Sequence, residues 1–493
     1  AEEAHYSAAA SYSTTNKGVE VFHSRFHTNL GILRSAHIGN LTDLQLAISR
    51  AEPFVAEDFS YQIQTPRQLV THQLWKASSY WNHTATGKWQ AVYAFQQNTR
   101  QEFDIRRNSE DARPALDMNL QTHQVIFKLD HPVWKSQSKG TIGMNYEYQK
   151  NRNVPGTGVR PLIPFYNSHQ AGLFWIERWI GEKLEGELGI RYDMQQLLAK
   201  KFDLSNSLVN YDRVFHSIAA NAGATWKFRP NLKWSSNLGT AFRAPNPAEL
   251  FSEGLHHGAA AIEQGNPALQ QEKAIKWVNT LNYTSSSNHQ IEWTLYTQWI
   301  QDFIYLQLQE QPRLTIRGAF PVFDYVQSNA HLYGMDVQTR LVIHPVLFVV
   351  GKAALLRAKN LDTQAWLQYM PADRAEVGLS FEPKTLGNWS AVQVQLTGSQ
   401  VWRQVRSPSE VLQIQDFNAA VPTFNTLEIP TPNGYFLMHL QVGGKLTLDD
   451  NDLFVQFSIN NIWNTNYREY LNRLRYYADD IGRSLELRLQ YSF

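Results

Sequence analysis

Two adjacent histidines, His256 and His257, lie in one stretch with the carboxylates Glu253 and Glu263. Imidazole nitrogen and carboxylate oxygen together suit borderline transition metals such as zinc or iron. Neighbouring side chains need not face the same way, so the ordinary alternative is a solvated histidine pair. A second group, Asp104, Arg106 and Arg107, follows a segment of alternating polarity. A guanidinium fork matches a carboxylate or phosphate, whereas the plainer reading is a solvated loop tip or a salt bridge. Tyr166, Trp402, Tyr467, Tyr470, Tyr476 and Tyr477 fall in connections or at segment ends, where rings stack on an aromatic ligand or pack the connections. Nucleophile-elbow, phosphate-loop and His-Glu-x-x-His motifs are absent. With no cysteine there is no disulfide, thiolate metal site or cysteine nucleophile. The chain is expected not to be an enzyme and to carry no resident cofactor.

The elements that hold these residues follow from composition and period. In 493 residues only 18% are charged, against roughly 25% in ordinary soluble proteins. Aromatics reach 13%, with 15 Trp, 22 Tyr and 25 Phe. Mean hydropathy is nevertheless −0.41. Membrane helices need runs of about 20 apolar residues, and the longest candidates here, such as 346–350, are far shorter. Disorder requires few aromatics and high net charge, and the net charge is +1. That balance gives no support to a nucleic-acid partner.

Period two dominates the chain. Leu485, Leu487, Leu489, Tyr491 and Phe493 alternate with Glu486, Arg488, Gln490 and Ser492. Ile291, Trp293 and Leu295 alternate with Glu292 and Thr294, and Ile142, Met144, Tyr146 and Tyr148 with Asn145, Glu147 and Gln149. Each such strand has one apolar and one polar face. Soluble sandwiches use strands of about five or six residues. These segments run to about ten or more, the length of a tilted membrane strand. The pattern predicts 19 strands, at 5–13, 18–28, 68–81, 88–98, 119–130, 140–150, 170–180, 184–194, 215–228, 232–243, 273–284, 290–303, 321–342, 347–358, 374–382, 389–403, 434–447, 452–463 and 482–493. Connections alternate between short turns and long loops, as in outer-membrane barrels. The fold class is therefore all-β, a single transmembrane antiparallel barrel over 1–493. Because such barrels have even strand numbers and the first predicted strand runs toward the periplasm, an odd number of strands is expected upstream. Ala1-Glu2-Glu3-Ala4 lacks the regions of a signal peptide, so an exported form is expected to be processed or cut.

The segment 239–272 carries Phe242-Arg243-Ala244-Pro245, Glu249-Leu250-Phe251, Glu263, Gly265-Asn266-Pro267, Leu269 and Glu272. Here the sequence resembles the TonB-dependent receptors of Gram-negative outer membranes. Leu332-Tyr333-Gly334-Met335-Asp336 and Asn460-Asn461-Ile462-Trp463-Asn464-Thr465-Asn466-Tyr467 are similar to further family motifs. Phe493 resembles the C-terminal signal read by the barrel-assembly machinery, with Arg488 where that signal often has Gly. The segment 36–44 resembles a Bacteroidota subgroup. Read from residue types alone, Pro245, Pro247 and Pro267 cannot continue a paired strand, and Gly254, Gly258 and Gly265 permit tight turning. Most of the motif therefore reads as loop architecture.

The resemblance implies a barrel of about 22 strands with a plugged lumen. Nothing in this sequence resembles the plug, so the chain is expected to be an N-terminally incomplete barrel. It also implies a multi-pass location among outer-membrane lipids and import of a scarce substrate, such as a ferric siderophore or other metal chelate. Energy would come from the TonB complex through the plug. Extracellular His256, His257, Glu253, Glu263, Arg106 and Arg107 are the candidate ligand residues. A lipoprotein lid is a further candidate partner. A passive plugless porin and a surface adhesin are the alternatives.

Overall fold

The computed structural model describes every residue except 35–37, 51–59, 105–112, 134–137, 203–204, 206, 417–422, 449–450 and 493. One 22-stranded sheet dominates it. Three of its members, Glu253–His256, Ala261–Gln264 and Thr385–Leu386, are short pieces within connections, which leaves 19 wall strands. These are β1 Glu2–Ser13, β2 Lys17–Gly31, β3 Arg67–His83, β4 Gly87–Phe103, β5 Leu116–Asp130, β6 Ser138–Asn153 and β7 Phe165–Ile180. They continue as β8 Leu184–Phe202, β9 Leu208–Arg229, β10 Leu232–Arg243, β11 Glu272–Thr284, β12 Gln290–Leu308 and β13 Val322–His344. The last six are β14 Leu347–Asn360, β15 Arg374–Phe381, β16 Trp389–Val401, β17 Tyr435–Leu448, β18 Asn451–Asn460 and β19 Ser484–Ser492. Each pairs antiparallel with its neighbour in sequence. Among the described residues β1 pairs only with β2, and β19 only with β18.

All 19 predicted strands are present, but many are longer than alternation indicates. β8 reaches Phe202 rather than 194, β9 begins at Leu208 rather than 215, and β7 at Phe165 rather than 170. The added residues lie at the ends that carry the long connections. There the wall stands clear of the apolar belt: outward positions such as Lys200 meet water, while inward Leu197 and Ala199 pack in an apolar cluster with Leu250 and Phe251, so the apolar-out, polar-in pattern of the belt is not continued. One connection expected to be long, between β8 and β9, accordingly shrinks to 203–207 while its strands protrude.

The outward face is apolar. Leu173, Trp175, Leu188, Ile190 and Ile218 are each about half exposed or more, at 59%, 48%, 52%, 51% and 61%. In water such a surface would aggregate; against hydrocarbon it is matched. The inward face is a polar ladder. Gln90 donates to Asp130 (2.6 Å), Asn221 to Glu187 (3.1 Å), and Thr280 shares a hydrogen bond with Thr294 (3.0 Å).

Gly334 shows why one motif position resists a side chain. It faces Tyr296 across the β12–β13 pair. A Cβ there would lie 2.3 Å from the Tyr296 hydroxyl and 2.4 Å from the Leu355 carbonyl oxygen. The ring could swing aside, but the carbonyl belongs to the sheet. Gly334→Val should therefore destabilise the wall by about 2 kcal/mol through overpacking, read as a lower urea midpoint of the detergent-solubilised protein. An unchanged midpoint would show that the strand yields freely at this point.

Candidate functional site

Arg243, the last residue of β10, organises the connection that follows. Its Nε and Nη2 donate to the two oxygens of Glu272 on β11, both at 2.8 Å. Its Nη1 donates to both oxygens of Glu249, at 2.9 and 2.8 Å. Glu249 belongs to a short helix, α1, Pro247–Phe251. Asn246 caps it: its side chain accepts from the Glu249 amide (2.9 Å), and the Glu249 carboxylate accepts from the Asn246 amide (2.8 Å). This reciprocal pair is a capping box with Pro at the first turn. Pro245 is buried beside it. A Cβ on Gly265 would sit 2.5 Å from the Phe251 nitrogen, so the returning chain can pass the helix end only as glycine. Asn266 donates its amide to the Glu249 carbonyl (2.9 Å), and Arg213 Nη1 donates to the Pro267 carbonyl. Arg243, Pro245, Glu249, Gly265, Asn266, Pro267 and Glu272 thus build one clamp at the base of the loop.

Above the clamp, Glu253–His256 pairs antiparallel with Ala261–Gln264, and the latter pairs parallel with the start of β13. Gly254 stands opposite Glu263 in this ladder, so Glu253 and Glu263 project from opposite faces. The expectation that both carboxylates serve one site with the histidines is corrected by that register. Glu253 turns to Lys201 (2.8 Å) and Arg160 (3.6 Å). Glu263 accepts from His256 Nδ1 (2.9 Å) and from Arg473 Nη1 (2.6 Å). Burial pushes the Glu263 carboxyl up, but His256 and Arg473 outweigh it and hold it at about 2. An arginine therefore occupies the carboxylate that a metal would need. Among the described residues no cluster of three or more His, Asp or Glu is arranged to hold a metal ion. Asp104 pairs with Arg317 (3.6 Å). Arg106, Arg107, Phe493 and the side chain of His257 lie outside the described residues.

Five connections meet in a single apolar cluster. It takes Leu41, Leu44 and Ala47 from the β2–β3 connection, Ala259–Ala261 from β10–β11, and Ala319 from β12–β13. Leu412 and Ile414 come from β16–β17, and Tyr476 and Tyr477 from β18–β19. Two local structures missing from the alternation pattern supply part of it. One is the helix Leu41–Ser49, capped by Asn40; the other is the hairpin Glu410–Asp416 with Thr423–Ile429. The result is a packed extracellular cap.

Inside the cap, Arg475 and Glu410 are each 4% exposed. Arg475 Nη2 donates to both Glu410 oxygens (2.6 and 2.8 Å), and the Tyr476 hydroxyl donates to one of them (2.8 Å). The guanidinium also lies over the rings of Tyr470 and Tyr476, at 4.8 and 4.5 Å. Burial, reinforced by the Glu410 charge, pushes the phenol of Tyr369 well above its ordinary range, so it stays a neutral donor. Tyr476 and Tyr477 are therefore cap interior, not rim surfaces. Tyr166 is likewise buried and donates to Gln149 (2.8 Å), while Tyr467 packs on Tyr435 with centroids 4.5 Å apart. Trp402 is the exposed ring, at 48%.

A 280 Å3 cavity opens between these groups, walled by Tyr305, Phe323, Tyr369, Met370, Arg473 and Arg475 among others. It shares Tyr305 and Gln368 with a wider, polar basin of 980 Å3. Arg473 Nη2 and Arg475 Nη1 are buried and have no hydrogen-bond partner among the described residues. Arg473, Arg475, Glu410, Tyr369 and Phe323 were missed in the sequence. The only local sign was the compact run Arg473-Leu474-Arg475-Tyr476-Tyr477 in a late connection.

A family model described as TonB dependent receptor-like, beta-barrel matches residues 12–491. The heme/hemopexin utilization protein C of Haemophilus influenzae (strain ATCC 51907 / DSM 11121 / KW20 / Rd) is 24% identical over 395 residues, covering 73% of this chain and 48% of that protein. The chain spans between about a third and a half of the curated relatives it matches. The copper transporter OprC superposes with a TM-score of 0.72 at 14% identity, over 100% of this chain and 72% of that one. The siderophore receptor PirA from Acinetobacter baumannii gives 0.67 at 13% identity, over 100% and 71%. At such identities the structural likeness is one of fold. The family match runs almost end to end over a wall whose outer face suits hydrocarbon, and the chain belongs to the TonB-dependent receptor β-barrel family of the bacterial outer membrane.

Proposed function

We propose that these residues form the wall and extracellular cap of a transporter that captures an anionic, aromatic metal chelate and delivers it to the periplasm. The observation that carries this reading is the aromatic cavity bordered by two arginines with unpartnered buried N–H groups. A buried donor without an acceptor costs about 1–3 kcal/mol. A carboxylate or catecholate oxygen would repay that cost, while Tyr305, Phe323 and Tyr369 offer faces for a flat ring system. The polar basin beside the cavity would accept the remainder of a larger chelate. The names of the relatives, which speak of heme, iron, copper and siderophores, agree with this class of cargo.

Release inward needs energy. We assign it to TonB acting through a plug, and we assign the pairing partners of the β1 and β19 edges to strands outside these 493 residues. Unpaired edges in lipid cost several kcal/mol per group, so a wall ending at β1 and β19 would not persist. Binding would have to favour one cap and plug arrangement over another. The packed cap disfavours a freely open porin, because five connections close over one apolar cluster. An adhesin would use these loops without transport.

Uptake of haemin and of a ferric catecholate by cells carrying the full-length protein should fall to background in a TonB-deficient strain. Uptake that persisted would reject energised import, and steady open steps in planar bilayers would favour the porin.

Arg475→Lys keeps a cation for Glu410 but removes the spare N–H. It should weaken binding of the preferred chelate about tenfold or more, measured by fluorescence quenching. Equal affinity would remove the cavity from the site.

The Glu263 lock gives a pH prediction. Its carboxyl ionises at about 2 in the fold and near 4.5 when free. The stabilisation, about 3 kcal/mol, is therefore complete above about pH 4.5 and is lost as pH falls toward 2. Protease access to the loop should rise over that window in wild type. Glu263→Gln should already be accessible at neutral pH and lack this step; an identical profile would show that the lock does not hold the cap.

A further inference from the structure

Four adjacent strands, β6 to β9, carry a second feature on the outer face of the wall. From Trp179 to His169 is ten residues along β7. At about 3.3 Å per residue and a tilt of about 40°, that is a height of about 25 Å, the thickness of the apolar band. His169 marks its upper limit, where it accepts from or donates to the Tyr146 hydroxyl (2.8 Å). His216 makes the same contact with Tyr192 (2.8 Å).

Directly above lies a dent of 410 Å3 lined by Lys150, Arg152 and Lys200, with Phe165 and Leu198 between them. The strand register places these side chains on the lipid-facing side. Lys150 pairs with Asn167, two residues beyond His169, and Phe165 pairs with Lys200. Arg152 follows Asn151, which pairs with Tyr166, and so flanks Phe165 from the other strand. The alternation Ile142, Met144, Tyr146, Tyr148 continues without a break into Lys150 and Arg152. Among the described residues none of the three cations has a carboxylate partner, although ion pairs are common elsewhere on the chain. Asp212, on the far rim, accepts from Gln196 (3.1 Å). The dent is therefore net positive, has an apolar floor, and lies about 5–10 Å above the belt, at headgroup height.

We propose that this dent is a specific site for a phosphate-bearing lipid of the outer leaflet, with the phosphate held by Lys150, Arg152 and Lys200 and the acyl chains running down past the Tyr146–His169 and Tyr192–His216 pairs. Charge complementarity names the headgroup, and continuity with the apolar belt names a lipid. A soluble anion would need no such belt beneath it. Each basic side chain near an anionic surface adds roughly a fivefold preference.

The test uses the full-length protein in mild detergent, with phosphatidic acid as the anionic probe and phosphatidylcholine as the neutral one, and bound lipids counted by native mass spectrometry. Wild type should retain phosphatidic acid preferentially, and less so at high salt. The triple variant Lys150→Ala, Arg152→Ala, Lys200→Ala should lose that preference about tenfold or more. Lys183→Ala with Arg229→Ala, at turns of the opposite end, should keep it. The conservative Lys150→Arg with Lys200→Arg should also keep it, which separates lost charge from lost folding. Equal retention by the triple variant would overturn the proposal. Displacement of the lipid by inorganic phosphate alone would overturn the lipid assignment in favour of a free-anion site.

Discussion

Hydrocarbon offers no hydrogen-bond partner, and the rest of this structure depends on that one constraint. Every backbone N–H and C=O at membrane depth must be paired within the protein. An antiparallel meander of long tilted strands does so everywhere between its two edges, each strand bonded to the next from β1 to β19. The same constraint sorts side chains. Outward positions take Leu, Ile, Trp and Tyr, and inward positions take Gln, Asn, Thr and paired charges. It also makes the wall rigid, which lets it carry loops that would have no core of their own.

The extracellular end works under different rules. Clear of lipid, the loops bury apolar side chains against one another, and they hold position with charges taken out of water. Arg243, Arg475 and Arg473 are each anchored by carboxylates from other segments, and the last two keep one buried N–H to spare among the described residues. Removing one partner of a buried pair leaves an uncompensated charge, at about 3–5 kcal/mol. The cap is thus closed, and its closure rests on a few contacts. That is a suitable basis for a lid whose state a ligand shifts, because a modest binding energy is comparable to one such contact.

How much of this could be read from the residues depended on which force acted at each place. Alternation located all 19 strands because lipid on one side and water on the other act at every second residue. It lost β8 beyond 194 and β9 before 215, where the outer face is no longer against lipid and the inner face of β8 packs beneath the loops through Leu197 and Ala199. The helix Leu41–Ser49 and the hairpin at Glu410–Ile429 were hidden inside connections whose length alone was visible. Of the candidate ligands, His256 and Glu263 do meet, but Glu253 leaves by the other face of its hairpin. Tyr476 and Tyr477 lie in a connection, as expected, and take the loop-packing alternative rather than the ligand-stacking one.

By itself, then, the sequence determined the wall: its class, strand number, direction and lipid-facing side. It also determined the turn chemistry of the Arg243 to Glu272 segment, since Pro, Gly and Asn impose local geometry wherever they stand. Only the tertiary structure decided the site. Glu410 and Arg475 are 65 residues apart and Glu263 and Arg473 are 210 apart, and no period links such pairs. Which loop charges meet is set by how the wall curves and how the connections fold over its mouth. That depends on the whole chain at once, and so it cannot be read from any one segment of it.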